Sequence, residues 1–444
     1  MIYVRDVIIT TILAAMGLLG GIVGMIWVSI WFVTSEKVAF VFKHAASRSA
    51  RKISCVAALS FVYCYIFEYS ALWTTVVMFF AVIALIVTMI ASWVVRIAVV
   101  RLMVLPACMP KMLAKHVLPN VDLHAMRRDH LNNGFEAISI VTEDNNVLDG
   151  MVFKEHSMQK LESSKQKWII MFLGNGAHYE HCADEARNLA ISLNRNALLF
   201  NYRGVGRSAG LALEEADLVR DGTACLNFLS RNYQVTDTSN VLLFGHSLGG
   251  SIATSLHCQK SFRGHLINDR SFSSLAAVPM SWIEIVPAIQ RVLPQFLRDF
   301  AKSVIDFVVS EIGWSMNAGR ALLKNPCKLS RTMVLWHRDD EIINFKYASL
   351  HSALIGSSSS SSSSSSSFVG LELAATRAQS PHNMTIVNDP TWGTFVDMAR
   401  GFLLNGGGND KGVDSSSLAD TKSGMGGTSA STSGDMRTKK RRVL

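Results

Sequence analysis

Three regimes of hydrophobic patterning follow one another along the chain. Val7 to Val33 is 27 residues without a charge, and Ile53 to Val95 is 43 residues interrupted only by Glu68. A helix needs about 20 apolar residues to cross a hydrocarbon core of about 30 Å. The first block therefore predicts one transmembrane span. The second is too long for one span and predicts two, at about 53–68 and 71–95, turning near Glu68. Gly17 and Gly21, and Gly20 and Gly24, are small-residue pairs that allow another helix to pack closely against the first span.

From Phe135 onward the pattern changes to short apolar runs separated by longer helical periods. AISIVT and LDGMVF flank the acidic-amide turn Glu143-Asp144-Asn145-Asn146, which predicts a β-hairpin. Lys167–Leu173, Ala197–Tyr202 and Val241–Phe244 are continuous apolar runs of strand length, as strands buried on both faces require. Helical patterns through Asn194 and over Leu213–Asn232 separate them. Further strands are predicted at HLINDRSF, Thr332–Trp336 and Phe368–Ala375. The alternation implies a parallel, doubly wound sheet. A helical insert at 276–325, read as a partial lid, interrupts the alternation, and a helix over Thr394–Leu404 closes it. The serine run Ser357–Ser367 cannot build a core and predicts a surface excursion. The chain thus divides into a membrane region and linker over 1–120, an α/β domain over 121–405, and a Gly/Ser-rich tail over 406–444 with a basic end.

Charge refines the picture of the membrane region. The net charge is +9, and basic residues crowd beside the apolar blocks: Lys37, Lys43, Arg48, Arg51 and Lys52 between them, Arg96, Arg101, Lys111 and Lys115 after them. The positive-inside rule places both flanks, and with them the α/β domain, on the cytosolic side. Membrane lipids rather than nucleic acid are the expected partner of this charge. The seven cysteines are scattered and show no C-x-x-C pair, which predicts neither a disulfide framework nor a zinc site. His178, His181 and Cys182 have ligand-like spacing but no second cluster, so no metal and no cofactor is expected.

The candidate chemistry centres on Gly245-His246-Ser247-Leu248-Gly249, which follows an apolar strand and opens a helix of small residues. This is the G-x-S-x-G turn in its strand–turn–helix context, where glycines let two backbones approach and the serine hydroxyl stands at the sheet edge. A serine hydroxyl needs an imidazole to take its proton and a carboxylate to orient the imidazole. Downstream, Asp339 and Asp340 follow one predicted strand and His382 follows the last. His351 competes with His382 but is the poorer candidate because it sits inside a predicted helix, and spacing does not choose between the two aspartates. Sites in such sheets lie beyond the carboxyl ends of the strands, where Gly174–Ala177, Arg203–Ser208 and Ser247 all fall. Arg203 and Arg207 are read as holding that loop by hydrogen bonds rather than as a phosphate site.

Beyond the elbow, Leu173-Gly174-Asn175-Gly176, Asn201-Tyr202-Arg203-Gly204-Val205-Gly206-Arg207-Ser208, Asp269-Arg270-Ser271-Phe272, Asp339-Asp340-Glu341-Ile342-Ile343 and His382-Asn383 form a combination. It resembles the α/β-hydrolase superfamily, and within it the membrane-anchored serine hydrolases that include Bem46-like proteins and depalmitoylases. The N-terminal membrane block with the serine tract is also similar to the chlamydial CHLPS-protein family. The resemblance implies an α/β-hydrolase fold with Ser247 as nucleophile, Asp340 as acid and His382 as base. It implies an oxyanion hole from the backbone N–H groups of Leu248 and Asn175, with Gly176 next in line. The chain departs from the family pattern in four places: Leu173 for histidine, Asn201 for aspartate, Asn344 for proline, and Ser380-Pro381 where glycines usually precede the base. The expected activity is cleavage of esters or thioesters in lipid or acylated substrates. A serine peptidase and a hydrolase-fold membrane scaffold are the alternatives.

Overall fold

In the computed structural model the chain is described over residues 122–358 and 368–405, with isolated helical positions between 79 and 94. The predicted spans at 7–33 and 53–68, most of 71–95, most of the serine run and the tail from 406 lie outside the described residues. Among the described residues no helix is long and apolar enough to cross a membrane.

Helix α1 (Leu123–Asn132) starts at Asp122, whose carboxylate accepts the His124 and Ala125 N–H groups, both at 3.0 Å. These are two of the donors a helix start leaves without a partner. Strands β1 (Phe135–Val141) and β2 (Val147–Phe153) form the expected hairpin. Its turn closes by Thr142 N–H donating to the Asn146 carbonyl, with Asn145 in the left-handed region. The sheet continues with β3 (Trp168–Phe172), β4 (Asn196–Phe200), β5 (Val241–His246), β6 (His265–Asp269), β7 (Thr332–Trp336) and β8 (Val369–Glu372). The strand order is β1-β2-β4-β3-β5-β6-β7-β8, antiparallel over the first three strands and parallel from β4 to β8. Every residue of β3 and β4 is buried, which is why both read as unbroken apolar runs.

The chain moves outward from β3 to β4 and then returns past β3 to β5. Right-handed crossovers in opposite directions put their helices on opposite faces. Helix α2 (Tyr179–Leu193) therefore lies on one face, with α1 against it, and α3 (Glu215–Tyr233) lies on the other with α4 (Leu248–His257). The reversal leaves a crevice between the carboxyl ends of β3 and β5, the place where doubly wound sheets bind ligands. This topology is the α/β-hydrolase fold.

Between β6 and β7 run α5 (Ala277–Ile285), α6 (Pro287–Val292), α7 (Gln295–Glu311), α8 (Ala318–Leu323) and α9 (Pro326–Leu329). The insert read as a partial lid divides in two. Trp314 is fully buried and its indole N–H donates to the Leu213 carbonyl at 3.0 Å, so the second half belongs to the core. No residue of α7 is fully buried, and α7 is held to α5 partly by Lys302 with Glu284. Helix α10 (Leu350–Ser358) takes up the first two serines of the run. Helix α11 (Trp392–Asn405) packs beside α2.

Candidate active site

Ser247 occupies the turn between β5 and α4 with φ 51° and ψ −116°, a conformation that L residues rarely adopt. Such backbone costs about 1–3 kcal/mol and persists only where the surroundings impose it. The neighbouring glycines explain how they do. A Cβ on Gly249 would stand 2.1 Å from the Phe172 carbonyl oxygen, and one on Gly245 would stand 2.4 Å from that of Gly249. The end of β3, the end of β5 and the first turn of α4 are thus in backbone contact. Ser247 N–H donates to the Asp269 carbonyl at 2.9 Å, which fixes the turn to β6.

The two open choices resolve by geometry. Nε2 of His382 lies 3.0 Å from Ser247 Oγ, and its Nδ1 lies 2.8 Å from Asp340 Oδ2. The other oxygen of Asp340 accepts the N–H groups of Ile342 at 2.9 Å and Ile343 at 2.7 Å. A carboxylate only accepts, so the proton of the 2.8 Å contact sits on Nδ1 and Nε2 turns a lone pair to the serine. Asp339 points away and pairs with Arg377 on the surface. His351 stacks on Trp336 with ring centroids 3.4 Å apart, and burial lowers its pKa to about 4. It is a packed side chain and is not paired with Ser247.

A cavity of about 720 Å³ opens over Ser247 and His382. Asn175 and Leu248, two of the three expected oxyanion donors, line it. Leu248 is the first residue of α4, where N–H groups have no carbonyl within the helix to bind. Gly176 sits instead at the left-handed position of the Gly174–Ala177 turn, with φ 75°, and is not among the lining residues. One wall of the cavity is apolar: Phe272, Leu275, Val278, Trp282, Val309 and Ile312 come mostly from the first half of the insert.

The departures from the family pattern have local reasons. Asn201 accepts Tyr179 N–H at 2.9 Å and donates to Glu180 at 3.2 Å, so an aspartate there would put a second carboxylate against Glu180. Asn344 accepts the N–H groups of Lys346 and Tyr347 in a turn of its own. Leu173 is buried, and its carbonyl accepts the Tyr202 hydroxyl. Ser380-Pro381 does not displace the imidazole. Arg203 is buried among Asp144, Asp217 and Asp221, as expected of a loop-fixing residue, whereas Arg207 is exposed.

Sequence reasoning missed Glu185. It stands on α2 one turn beyond His181 and Cys182, and all three line the cavity. The ligand-like spacing was the available signal, but among the described residues no three such groups converge to hold a metal. Burial first, and the nearby Asp269 carboxylate second, raise the Glu185 pKa from 4.5 to about 7, while the Ile386 N–H it accepts opposes the shift. The folded state therefore keeps a proton that the unfolded chain releases near 4.5. Stability from this group is full below that pH and is lost as pH rises through about 7. The loss is at most about 3 kcal/mol, reduced by water entering the cavity. Glu185→Gln, which keeps an acceptor for Ile386, is expected to flatten the fall in melting temperature between pH 5 and pH 8. An unchanged slope would reject this assignment.

The chain is similar to several known proteins. The model of the family described as Chlamydia CHLPS protein (DUF818) matches residues 45–340, a range that includes Ser247 and ends at Asp340, before His382. Protein bem46 of Schizosaccharomyces pombe is 25% identical over 228 residues, covering 51% of this chain and 68% of that protein. The α/β hydrolase domain-containing protein WAV2 of Arabidopsis thaliana is 32% identical over 88 residues, which are 20% of this chain but only 28% of WAV2. Among solved structures, the Pyrococcus furiosus esterase Pf2001 is 16% identical, with a TM-score of 0.44 over 63% of this chain and 94% of the esterase.

Proposed function

The chain belongs to the Chlamydia CHLPS protein family (DUF818) and has the α/β-hydrolase fold, and from that premise we propose that it is a membrane-anchored serine hydrolase cleaving acyl esters or thioesters. The observation that carries this reading is the run of contacts from Ser247 Oγ to His382 to Asp340, at 3.0 and 2.8 Å, beneath an apolar cavity.

In the proposed reaction, Ser247 Oγ attacks the acyl carbonyl as His382 Nε2 takes its proton. Asp340 holds the ring and stabilises the imidazolium that forms. The N–H groups of Leu248 and Asn175 receive the oxyanion. The tetrahedral intermediate then collapses, the imidazolium protonates the departing alcohol or thiol, and an acyl-serine remains. Water, deprotonated by the same imidazole, releases the acid. The apolar wall formed by Leu275, Val278, Trp282, Val309 and Ile312 suits an acyl chain better than a peptide. A fluorophosphonate probe tests the reading. Labelling of the folded chain at Ser247 is expected, and a folded chain that does not react would overturn it.

Membrane attachment is proposed from the apolar blocks at 7–33 and 53–95, with the hydrolase domain on the cytosolic side. The insert supports it. Phe296, Phe300, Val304, Phe307 and Val308 recur at three- and four-residue spacing along α7, and all are exposed. The opposite face of the same helix sends Val309 into the cavity wall. The outer stripe would then rest on the bilayer from which the acyl chain is drawn. Full burial of one aromatic side chain is worth about 1.5–3 kcal/mol, and shallow insertion realises part of that. Replacing Phe296, Phe300 and Phe307 together by serine is expected to lower turnover of a vesicle-embedded thioester roughly 10-fold or more. Turnover of a short soluble ester should stay within about twofold, since none of the three lines the cavity. Equal effects on both substrates would reject the bilayer contact.

A further inference from the structure

The base stands on a loop with little regular structure of its own. His382 lies between two short 3-10 turns, Arg377–Gln379 after β8 and Ile386–Asn388 beyond it, and is preceded by Ser380 at a left-handed φ of 49° and by Pro381. Where glycines would let such a loop settle against the elbow, this sequence has two residues of restricted backbone. Asp340 holds the ring and the His382 N–H donates to the Glu341 carboxylate at 3.1 Å, but the carbonyls on either side of the base need a partner of their own.

Arg270 meets that need. It follows β6, is 3% exposed, and itself adopts a left-handed φ of 45°. Its Nη1 donates to the carbonyls of Pro381 at 2.5 Å and Met384 at 2.6 Å, which bracket His382-Asn383. Its Nε and Nη2 are taken by the two oxygens of Asp269, at 2.8 and 2.7 Å. Asp269 in turn contacts His246 Nδ1 at 2.9 Å, and its carbonyl accepts the N–H of Ser247. The Arg270 N–H donates to the carbonyl of Leu335 on β7, the strand that leads to Asp340. One buried ion pair therefore touches the nucleophile's turn, both sides of the base and the strand of the acid.

Only a guanidinium can do this. Its planar fork binds a carboxylate with two nitrogens and keeps a third directed elsewhere, whereas an ammonium is a single point of donation. Asp269 neutralises the charge, and both donors of Nη1 go to carbonyls rather than to a second carboxylate.

We infer that Arg270, oriented by Asp269, is a positioning residue that clamps the carbonyls of Pro381 and Met384 and so sets the distance between His382 Nε2 and Ser247 Oγ. The inference rests on the hydrolase reading above. Misplacing a reacting group by about 1 Å costs about 10²-fold in rate.

The test uses the full chain in detergent or bilayers, with Arg270→Lys as the variant that keeps the charge and Arg270→Ala as the one that leaves a space. Expected are a fall of about 10²-fold in both kcat for a short soluble ester and the rate of fluorophosphonate labelling, with KM changed less than about threefold. Ethylguanidinium added to Arg270→Ala should restore at least a tenth of the lost rate and leave the unsubstituted protein unaffected. Folded Arg270→Lys that reacts at the original rate would overturn the clamp. So would loss of folded protein in both variants that ethylguanidinium does not reverse, since the pair would then serve folding alone. If the unsubstituted, folded chain fails to label, the hydrolase reading fails first and the clamp goes with it.

Discussion

Ser247→Ala is expected to reduce kcat toward a short soluble ester by about 10⁶-fold, the scale seen when a nucleophile is removed from a working serine–histidine pair. The residual rate, about 10³–10⁴ over water, would come from the oxyanion donors and from substrate binding. The size of the loss follows from the arrangement. Among the described residues Ser247 is the hydroxyl that His382 contacts, and its second nitrogen is committed to Asp340. Removing Oγ therefore leaves a base with nothing to activate except water. The fold should survive, since among the described residues the Ser247 side chain bonds His382 alone, while its N–H and carbonyl hold Asp269 and Gly250. A companion variant, Ser247→Gly, separates chemistry from strain. It should be as inactive as alanine, yet at least as stable, because glycine adopts φ 51° without a Cβ penalty. Rates and thermal melts of the two variants check both parts. Residual activity of a tenth or more in either would remove Ser247 from the reaction.

The elements that build this site differ in how readily they can be read from the chain. β3, β4 and the strand before Ser247 are legible because parallel strands covered on both faces need unbroken apolar runs, and few other structures do. The elbow is legible because its constraint is local: Gly245 and Gly249 are dictated by backbone contacts within a few residues of Ser247 and with β3. The choice between Asp339 and Asp340 is not local. Adjacent side chains at a strand end point in different directions, and what sends Asp339 outward is Arg377, 38 residues later. His351 is already the poorer candidate from its place inside a predicted helix, and packing against Trp336 removes it. Arg270 and Glu185 are harder still, because a buried charge announces itself only through partners that folding brings from far along the chain. The insert stands between these cases. Its periodicity showed helices, but not that Trp314 turns inward while Phe300, fourteen positions earlier, turns outward.

Asp340→Asn should lower kcat about 10⁴-fold while leaving the protein folded, and the reason is a proton rather than a contact. Asparagine can keep the acceptor that Ile342 and Ile343 require, with its amide oxygen in the place of Oδ1. Its NH₂ group then faces His382 Nδ1, where the carboxylate oxygen stood 2.8 Å away. An NH₂ donates, so Nδ1 must accept, and the ring proton moves to Nε2. That nitrogen, 3.0 Å from Ser247 Oγ, now offers a proton to the serine instead of taking one. The imidazolium that would form on attack also loses its counter-charge. Both effects act on the chemical step and neither on substrate binding, so KM should change less than kcat. Asp339→Asn is the internal control. Its carboxylate is exposed and pairs only with Arg377, an interaction worth no more than about 1 kcal/mol, so activity should hold within about twofold. The kinetic constants of the two neighbours, measured side by side, decide the matter. Comparable losses at both positions, or a larger one at Asp339, would place the acid elsewhere and leave the orientation of His382 unexplained.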